Sequence, residues 1–166
     1  MLVKNGISRF LFQKATVKSS GKTSKIKFVM SRNKIVAVDF DGTCVLHEYP
    51  KIGAEVPHAV EVLKKLNENQ VKIILWTIRS GEYLQEAVDW LAERKIEIWA
   101  VNKNPTQRYW SKSPKAYAPV YIDDAALGCP LKFIDDENGS RPYADWFEIE
   151  KLLEKIGLLD DSTSEN

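Results

Sequence analysis

Alternation of short apolar runs with helical patterns predicts an α/β protein. The expected form is a three-layer, Rossmann-like arrangement, with a central parallel sheet of about five strands and helices on both faces. Three observations carry this. First, Ile35–Val38, Val71–Trp76, Ile96–Ala100 and Val120–Ile122 are apolar runs rich in β-branched or aromatic residues, too short for helices and too continuous for half-exposed strands. Second, stretches with apolar residues near 3.6 spacing separate them. Third, the runs end in polar residues, where open parallel sheets bind their ligands.

The first strand is expected over Ile35–Asp39. A loop follows from Cys44 to Pro57, with Pro50 and Gly53 inside it. Val60, Leu63, Lys64 and Leu66 then mark a helix ending near Asn67–Asn69. Val71–Trp76 is the second strand. Gly81–Arg94 reads as a helix with Leu84, Ala87, Val88 and Leu91 on one face. Ile96–Ala100 is the third strand, and Asn102–Pro114 a loop carrying Pro105 and Trp110. Val120–Ile122 is the fourth strand, ending in Asp123 and Asp124. Leu131–Ile134 is a candidate fifth. A last helix is expected over 145–156, with Trp146, Ile149, Leu152 and Leu153 facing inward and Gly157 as its stop. There are no internal repeats.

The length of 166 residues fits one domain. An apolar fraction of 44%, with five Trp, six Tyr and six Phe, is enough for a core. No apolar stretch reaches the length of a membrane span, so no membrane partner is expected. Cys44 and Cys129 have no metal-type spacing, and a reduced, cytoplasmic protein is the default expectation.

The net charge of +1 hides an asymmetry. Residues 1–34 hold nine Lys/Arg and no acid, whereas the rest holds 15 Lys/Arg against 23 Asp/Glu. The basic segment 1–32 is expected to be a leader outside the fold, read as a tail, an organelle-targeting peptide or the result of a start at Met30. The folded domain is then 33–159, and 160–166 a loose polar tail. An acidic domain suits a divalent cation better than a clamp for long duplex DNA, which needs clustered Lys/Arg.

Asp39-Phe40-Asp41-Gly42-Thr43 is the most informative segment. In extended chain, residues i and i+2 point the same way, so Asp39 and Asp41 are expected to aim at one spot. Gly42 permits a sharp turn away. Converging carboxylates repel, and a cation resolves the repulsion. By chance, D-x-D-G-T occurs in a chain of this length with probability on the order of 10⁻³. The other strand ends add Thr77 and Arg79, then Asn102, then Asp123 and Asp124, and Lys115 lies just before the fourth strand. A nucleophile, a second carboxylate, a hydroxyl, a cation and acidic metal ligands form the set a phosphoryl-transfer site needs.

In these motifs the sequence resembles the haloacid dehalogenase superfamily of phosphohydrolases. The four motifs read as IVAVDFDGT, IILWT, Lys115 in SPKAYAP, and VYIDD. The longer string DFDGT…WT.R.GE…N.N…SPK.YA…IDD is similar to small capless members of bacteria and their phages. The resemblance covers Lys34 to the last helix and implies a haloacid-dehalogenase-like fold. It implies that Asp39 attacks phosphorus and forms an aspartyl-phosphate. It implies that Asp41 protonates the leaving alcohol, deprotonates water and offers its backbone carbonyl to Mg²⁺. Thr77 would hold a phosphoryl oxygen and Lys115 would neutralise charge, with Lys112 close enough to be confused with it. Asp124, with Asp123 beside it or behind it, would hold the Mg²⁺ together with Asp39. Gly42, Thr43, Arg79 and Asn102 are the expected substrate contacts. His47, in the loop after the nucleophile, is a further candidate.

Members of this family select substrates with inserted cap domains. Between Asp41 and Thr77 there are 35 residues, and between Thr77 and Lys115 there are 37, all used by one helix, one strand and one loop. Neither gap holds a cap of ~50 residues. The expected function is therefore a Mg²⁺-dependent phosphomonoester hydrolase with an open site. Such a site suits a phosphorylated macromolecule end, or a small phosphorylated substrate closed over by a second copy of the chain. The alternatives are a 3′-phosphatase of nucleic-acid ends and a non-catalytic binding protein. Asp41 and Thr43 argue against haloalkanoate dehalogenation.

Overall fold

The computed structural model describes residues 34–133 and 141–160. The expected leader over 1–32, Ile134 and all of the C-terminal tail except Asp160 lie outside the described residues.

Four strands form a fully parallel sheet in the order β3-β2-β1-β4, with β1 Ile35–Val38, β2 Lys72–Leu75, β3 Ala100–Val101 and β4 Val120–Ile122. The helices are α1 Ala59–Glu68, α2 Gly81–Glu93 and α3 Trp146–Lys155. β1 lies between β2 and β4, with Val38 opposite both Leu75 and Ile122. This register puts the carboxyl ends of the three strands side by side. The motifs at those ends become neighbours although 84 residues lie between Asp39 and Asp124 in the chain.

The pleat sorts the strand residues. Val36, Val38, Ile73 and Leu75 join a core with Val62, Leu63 and Leu66 of α1, Trp90 and Leu91 of α2, and Trp146, Ile149 and Leu153 of α3. Ile35, Ala37 and Ile74 point the other way, into a smaller cluster with Ala118, Trp76, Trp99 and Tyr121. The expectation of helices on both faces is thereby corrected. All three helices pack on one face, and the other is covered by aromatic side chains and the chain between β3 and β4. That connection has no long helix, only a 3₁₀ turn at Gln107–Tyr109.

The expected fifth strand is real but belongs elsewhere. β5 Leu131–Lys132 pairs antiparallel with β6 Tyr143–Ala144, apart from the parallel sheet. The third strand is shorter than its apolar pattern. Ile96 N–H bonds Leu91 C=O at the end of α2, and the Asn67 side chain bonds both the N–H and C=O of Glu97. Pairing with β2 begins only at Trp99 N–H. Leu152, expected inside, is half-exposed, because Ile149 and Leu153 already fill that face of α3.

Candidate functional site

The chain leaves β1 at Asp39, whose N–H bonds Ile122 C=O at 2.9 Å. This bond holds the end of β1 against the end of β4 and so sets Asp39 beside Asp123 and Asp124. Carboxylate oxygens of the three residues lie within 4.8 Å of one another. Burial pushes the Asp39 carboxyl up from 3.8 to about 7; the Phe40 N–H opposes this, the charges of Asp123 and Asp124 add to it, and the Thr43 hydroxyl lowers it again.

The turn after Asp39 is built tightly. Gly42 has φ +89°, and a Cβ there would collide with His47 Nε2 and meet Asp124 Oδ2 at 2.7 Å. Glycine is needed for both backbone and space. Cys44 Sγ donates to Asp39 C=O at 3.2 Å, and burial keeps that thiol neutral. Trp146 Nε1 donates to Thr43 C=O at 2.7 Å, and Ala144 N–H to Gly42 C=O at 2.8 Å. The β5–β6 ribbon and the start of α3 therefore carry the loop from below.

Thr43 is fully buried between the acids. Its hydroxyl lies 3.3 Å from Asp39 Oδ2 and 3.5 Å from Asp124 Oδ1, and accepts from Asp124 N–H at 3.1 Å. Gly42 N–H goes to Val45 C=O at 2.6 Å. Both residues, expected to contact substrate, shape the loop through these bonds. His47 Nε2 sits 2.9 Å from Asp124 Oδ2, so it meets a carboxylate of the cluster. Nothing in its spacing marks that contact; the tight turn at Gly42 brings it there.

Asp41 does not share the spot that Asp39 occupies. The chain bends at Phe40, and Asp41 is not among the carboxylates that converge with Asp39, so the i, i+2 rule fails. Both Asp41 oxygens accept from Arg79: Nε at 2.7 Å and Nη2 at 2.7 Å. The Arg79 side chain is 0% exposed. It also donates to the carbonyls of Pro50 and Lys51, and lies over the rings of Phe40 and Tyr49. Asp41 holds the guanidinium firmly in its charged form. The substrate contact expected of Arg79 is corrected: its donors are directed inward, to Asp41 and to the 44–57 loop.

Thr77 follows β2 and is buried. Its hydroxyl accepts from Arg79 N–H at 3.1 Å, which leaves the hydroxyl hydrogen to donate. Asn102, at the end of β3 with φ +50°, grips the Thr77 peptide from both sides: its Oδ1 accepts from Thr77 N–H at 2.8 Å and its Nδ2 donates to Thr77 C=O at 2.7 Å. Asn102 thereby positions Thr77. Lys115 is exposed, and its ammonium has no hydrogen bond or ion pair among the described residues. Its backbone is fixed, its N–H by Ser113 and its C=O by Gln107.

No protein-family model matches the chain, and no curated protein does. A solved structure of a conserved protein from Bacteroides thetaiotaomicron is similar, at 38% identity and TM-score 0.60, over 75% of this chain and 92% of that one. At this identity and coverage the two chains belong to one family, and the Bacteroides protein's description states no function. No helix of the described residues is long and apolar enough to cross a membrane.

Proposed function

We propose that the protein is a Mg²⁺-dependent phosphomonoester hydrolase working through an aspartyl-phosphate on Asp39. The observation that supports this best is the convergence of Asp39, Asp123 and Asp124 at the carboxyl edge of a parallel sheet. Three close carboxylates are hard oxygen ligands, the donor set that suits Mg²⁺. Asp39, pushed up to about 7, is a carboxyl that a cation would return to its charged form. A bound Mg²⁺ supplies charge screening between that carboxylate and an approaching phosphate.

In this reading an Asp39 carboxylate oxygen attacks phosphorus, and the bond from phosphorus to the ester oxygen breaks. Asp41 gives that oxygen its proton. Water then attacks the phosphorus, Asp41 takes the water's proton, and the bond to Asp39 breaks to release phosphate. The Thr77 hydroxyl donates its hydrogen to a phosphoryl oxygen, held in place by Asn102 and by Arg79 N–H. Both Asp41 oxygens accept from Arg79 in the resting arrangement, so protonating a leaving group requires one of those bonds to open. Lys115 is the cation this reading assigns to the phosphate.

The test is phosphate release with and without Mg²⁺ from nucleotides, sugar phosphates and p-nitrophenyl phosphate. The expected result is Mg²⁺-dependent release by the wild type and none by Asp39→Asn. Equal release by both chains would remove Asp39 as nucleophile. No release from any substrate, with Mg²⁺ shown to bind, would favour a binding protein.

A further inference from the structure

We infer that the connection between β3 and β4 is a docking site for single-stranded nucleic acid, presenting a terminal phosphate of that strand to Asp39. The second half of this statement rests on the phosphatase reading above; the first does not.

The charge is the first observation. Residues 102–122 hold Lys103, Arg108, Lys112 and Lys115 and no acid, within a domain otherwise dominated by Asp and Glu. Three of these cations, Lys103, Arg108 and Lys112, line a cavity of about 460 Å³ together with Ser111 and Ser113. That volume exceeds what one phosphate fills.

The cavity is prebuilt. Two buried amides, Asn104 and Gln107, brace its wall. Asn104 donates to Tyr117 C=O and accepts from Thr106 N–H and its hydroxyl. Gln107 donates to the carbonyls of Ser113 and Lys115 and accepts from Tyr117 N–H. Ser111 and Ser113 accept backbone N–H bonds through their hydroxyl oxygens, which leaves both hydroxyl hydrogens to donate to an anion. The backbone that carries the cations is thus fixed before a ligand arrives, so only their exposed side chains need ordering on binding.

The aromatic residues narrow the class of ligand. Tyr109 is 74% exposed and Trp110 60% exposed, in the 3₁₀ segment and immediately after it. Tyr117 holds Trp110 edge-on at 5.4 Å, and the Arg108 guanidinium lies 4.8 Å from the Tyr109 ring centre. Flat exposed rings beside a basic cavity are what single strands use: phosphates bind the cations while bases stack on the rings. An acidic peptide would use only the cations.

The location links this surface to the acidic site. The connection starts at Asn102, which grips Thr77, and ends in β4, which carries Asp123 and Asp124. It also carries Lys115. The connection leaves the carboxyl edge of the sheet, where the cluster lies, through Asn102 and Lys103, and enters β4 at the opposite edge.

The test uses the full chain, a fluorescein-labelled 12-mer of deoxythymidylate with a 3′-phosphate, and fluorescence anisotropy. Trp110→Ala and the double variant Lys103→Ala/Lys112→Ala are each expected to weaken binding about tenfold or more. The double variant should also flatten the plot of log affinity against log salt by about 1.4, or roughly 0.7 for each lost phosphate contact. All chains keep the same basic segment 1–34, so the differences report the connection alone. Affinities indistinguishable from wild type in both variants would overturn the proposal, as would equally tight binding of poly-glutamate. For phosphate release, the variants should lose activity on the oligonucleotide while p-nitrophenyl phosphate turnover stays at the wild-type level. Equal losses on both substrates would overturn the docking role. If the wild type releases phosphate from neither substrate, the phosphatase reading fails, and anisotropy still decides the docking site.

Discussion

Asp39 and Asp41 stand two residues apart and have opposite surroundings. Asp39 is half-buried and faces two more carboxylates, with its carboxyl pushed up to about 7. Asp41 faces a buried guanidinium that binds both of its oxygens. The side chains are chemically identical, so the difference comes entirely from where the loop sends them. Gly42, Thr43 and the anchors from Trp146 and Ala144 direct it. One carboxylate is left facing two further acids, and the other receives a cation from within the chain. In the proposed mechanism this division separates the nucleophile from the acid–base group, the pattern by which neighbouring carboxylates take different roles.

The largest expected effect breaks the pair chemically. Asp39→Asn is expected to lower turnover by at least about 10⁴-fold on every phosphate ester, because no other carboxylate replaces the attacking oxygen. Asp41→Asn should lose about 10²- to 10⁴-fold on an alkyl phosphate, whose leaving oxygen needs a proton, and much less on p-nitrophenyl phosphate. Side-by-side kcat/KM values on the two ester types check this. Equal losses for both variants on both esters would erase the proposed division of roles.

Next in size is the internal cation. Arg79→Ala leaves Asp41 without its partner and opens the carbonyls of Pro50 and Lys51, and breaking a buried pair from one side costs about 3–5 kcal/mol. Urea unfolding should show that loss, and Asp41→Asn in the Arg79→Ala background should recover part of it. Additive losses would mean that the pair is not coupled.

The third prediction concerns pH. The folded protein holds the Asp39 proton up to about pH 7, whereas the unfolded chain releases it near 3.8. The folded state therefore binds more protons in that window, so metal-free stability falls as pH rises from about 4 through 7 and is level above it. The loss should amount to about 2–4 kcal/mol relative to Asp39→Asn, which lacks this titration. Mg²⁺ must displace that proton, so its stabilising effect should grow as pH rises through 7 and reach about 2.7 kcal/mol at a hundredfold excess over Kd. Asp124→Ala should remove the Mg²⁺ effect. Calorimetric melting against pH, with and without Mg²⁺, reads both effects; a Mg²⁺ shift that persists in Asp124→Ala would put the ion elsewhere.

The parallel sheet and the convergence at its edge were legible because both follow from local pattern. β-branched runs such as Ile35–Val38 bury themselves as strands, and polar residues at their ends collect where the ladder stops. What was not legible depends on contacts between distant residues. The i, i+2 argument for Asp41 assumed extended chain, but the chain bends at Phe40. Arg79 and Asn102 looked like substrate contacts because they are polar and lie at strand ends. Arg79 has its partners in Asp41 and the 44–57 loop, and Asn102 has its partner in the Thr77 peptide, pairings that no spacing announces. Ile96–Ile98 looked like strand, but Asn67 and the end of α2 hold that backbone first. Leu131–Lys132 was legible as a strand, though not as part of a separate ribbon, because the choice of partner belongs to residues 143–144.

The smallest expected effect comes from the residue that binds the acidic side of the comparison together. Thr43→Val keeps the shape and removes the hydroxyl shared by Asp39, Asp124 and the Asp124 N–H. Leaving that N–H unpaired should cost about 1–2 kcal/mol of stability. The hydroxyl also pulls the Asp39 carboxyl down, so its loss should move the pH midpoint of the Mg²⁺ stabilisation upward from about 7, while Asp41 and Arg79 are untouched. Melting curves at a fixed Mg²⁺ concentration across pH 6–9 would show the shift. An unchanged midpoint would mean that Thr43 braces the loop without setting the charge on Asp39. The contrast between the two aspartates would then rest on burial and on the neighbouring acids alone.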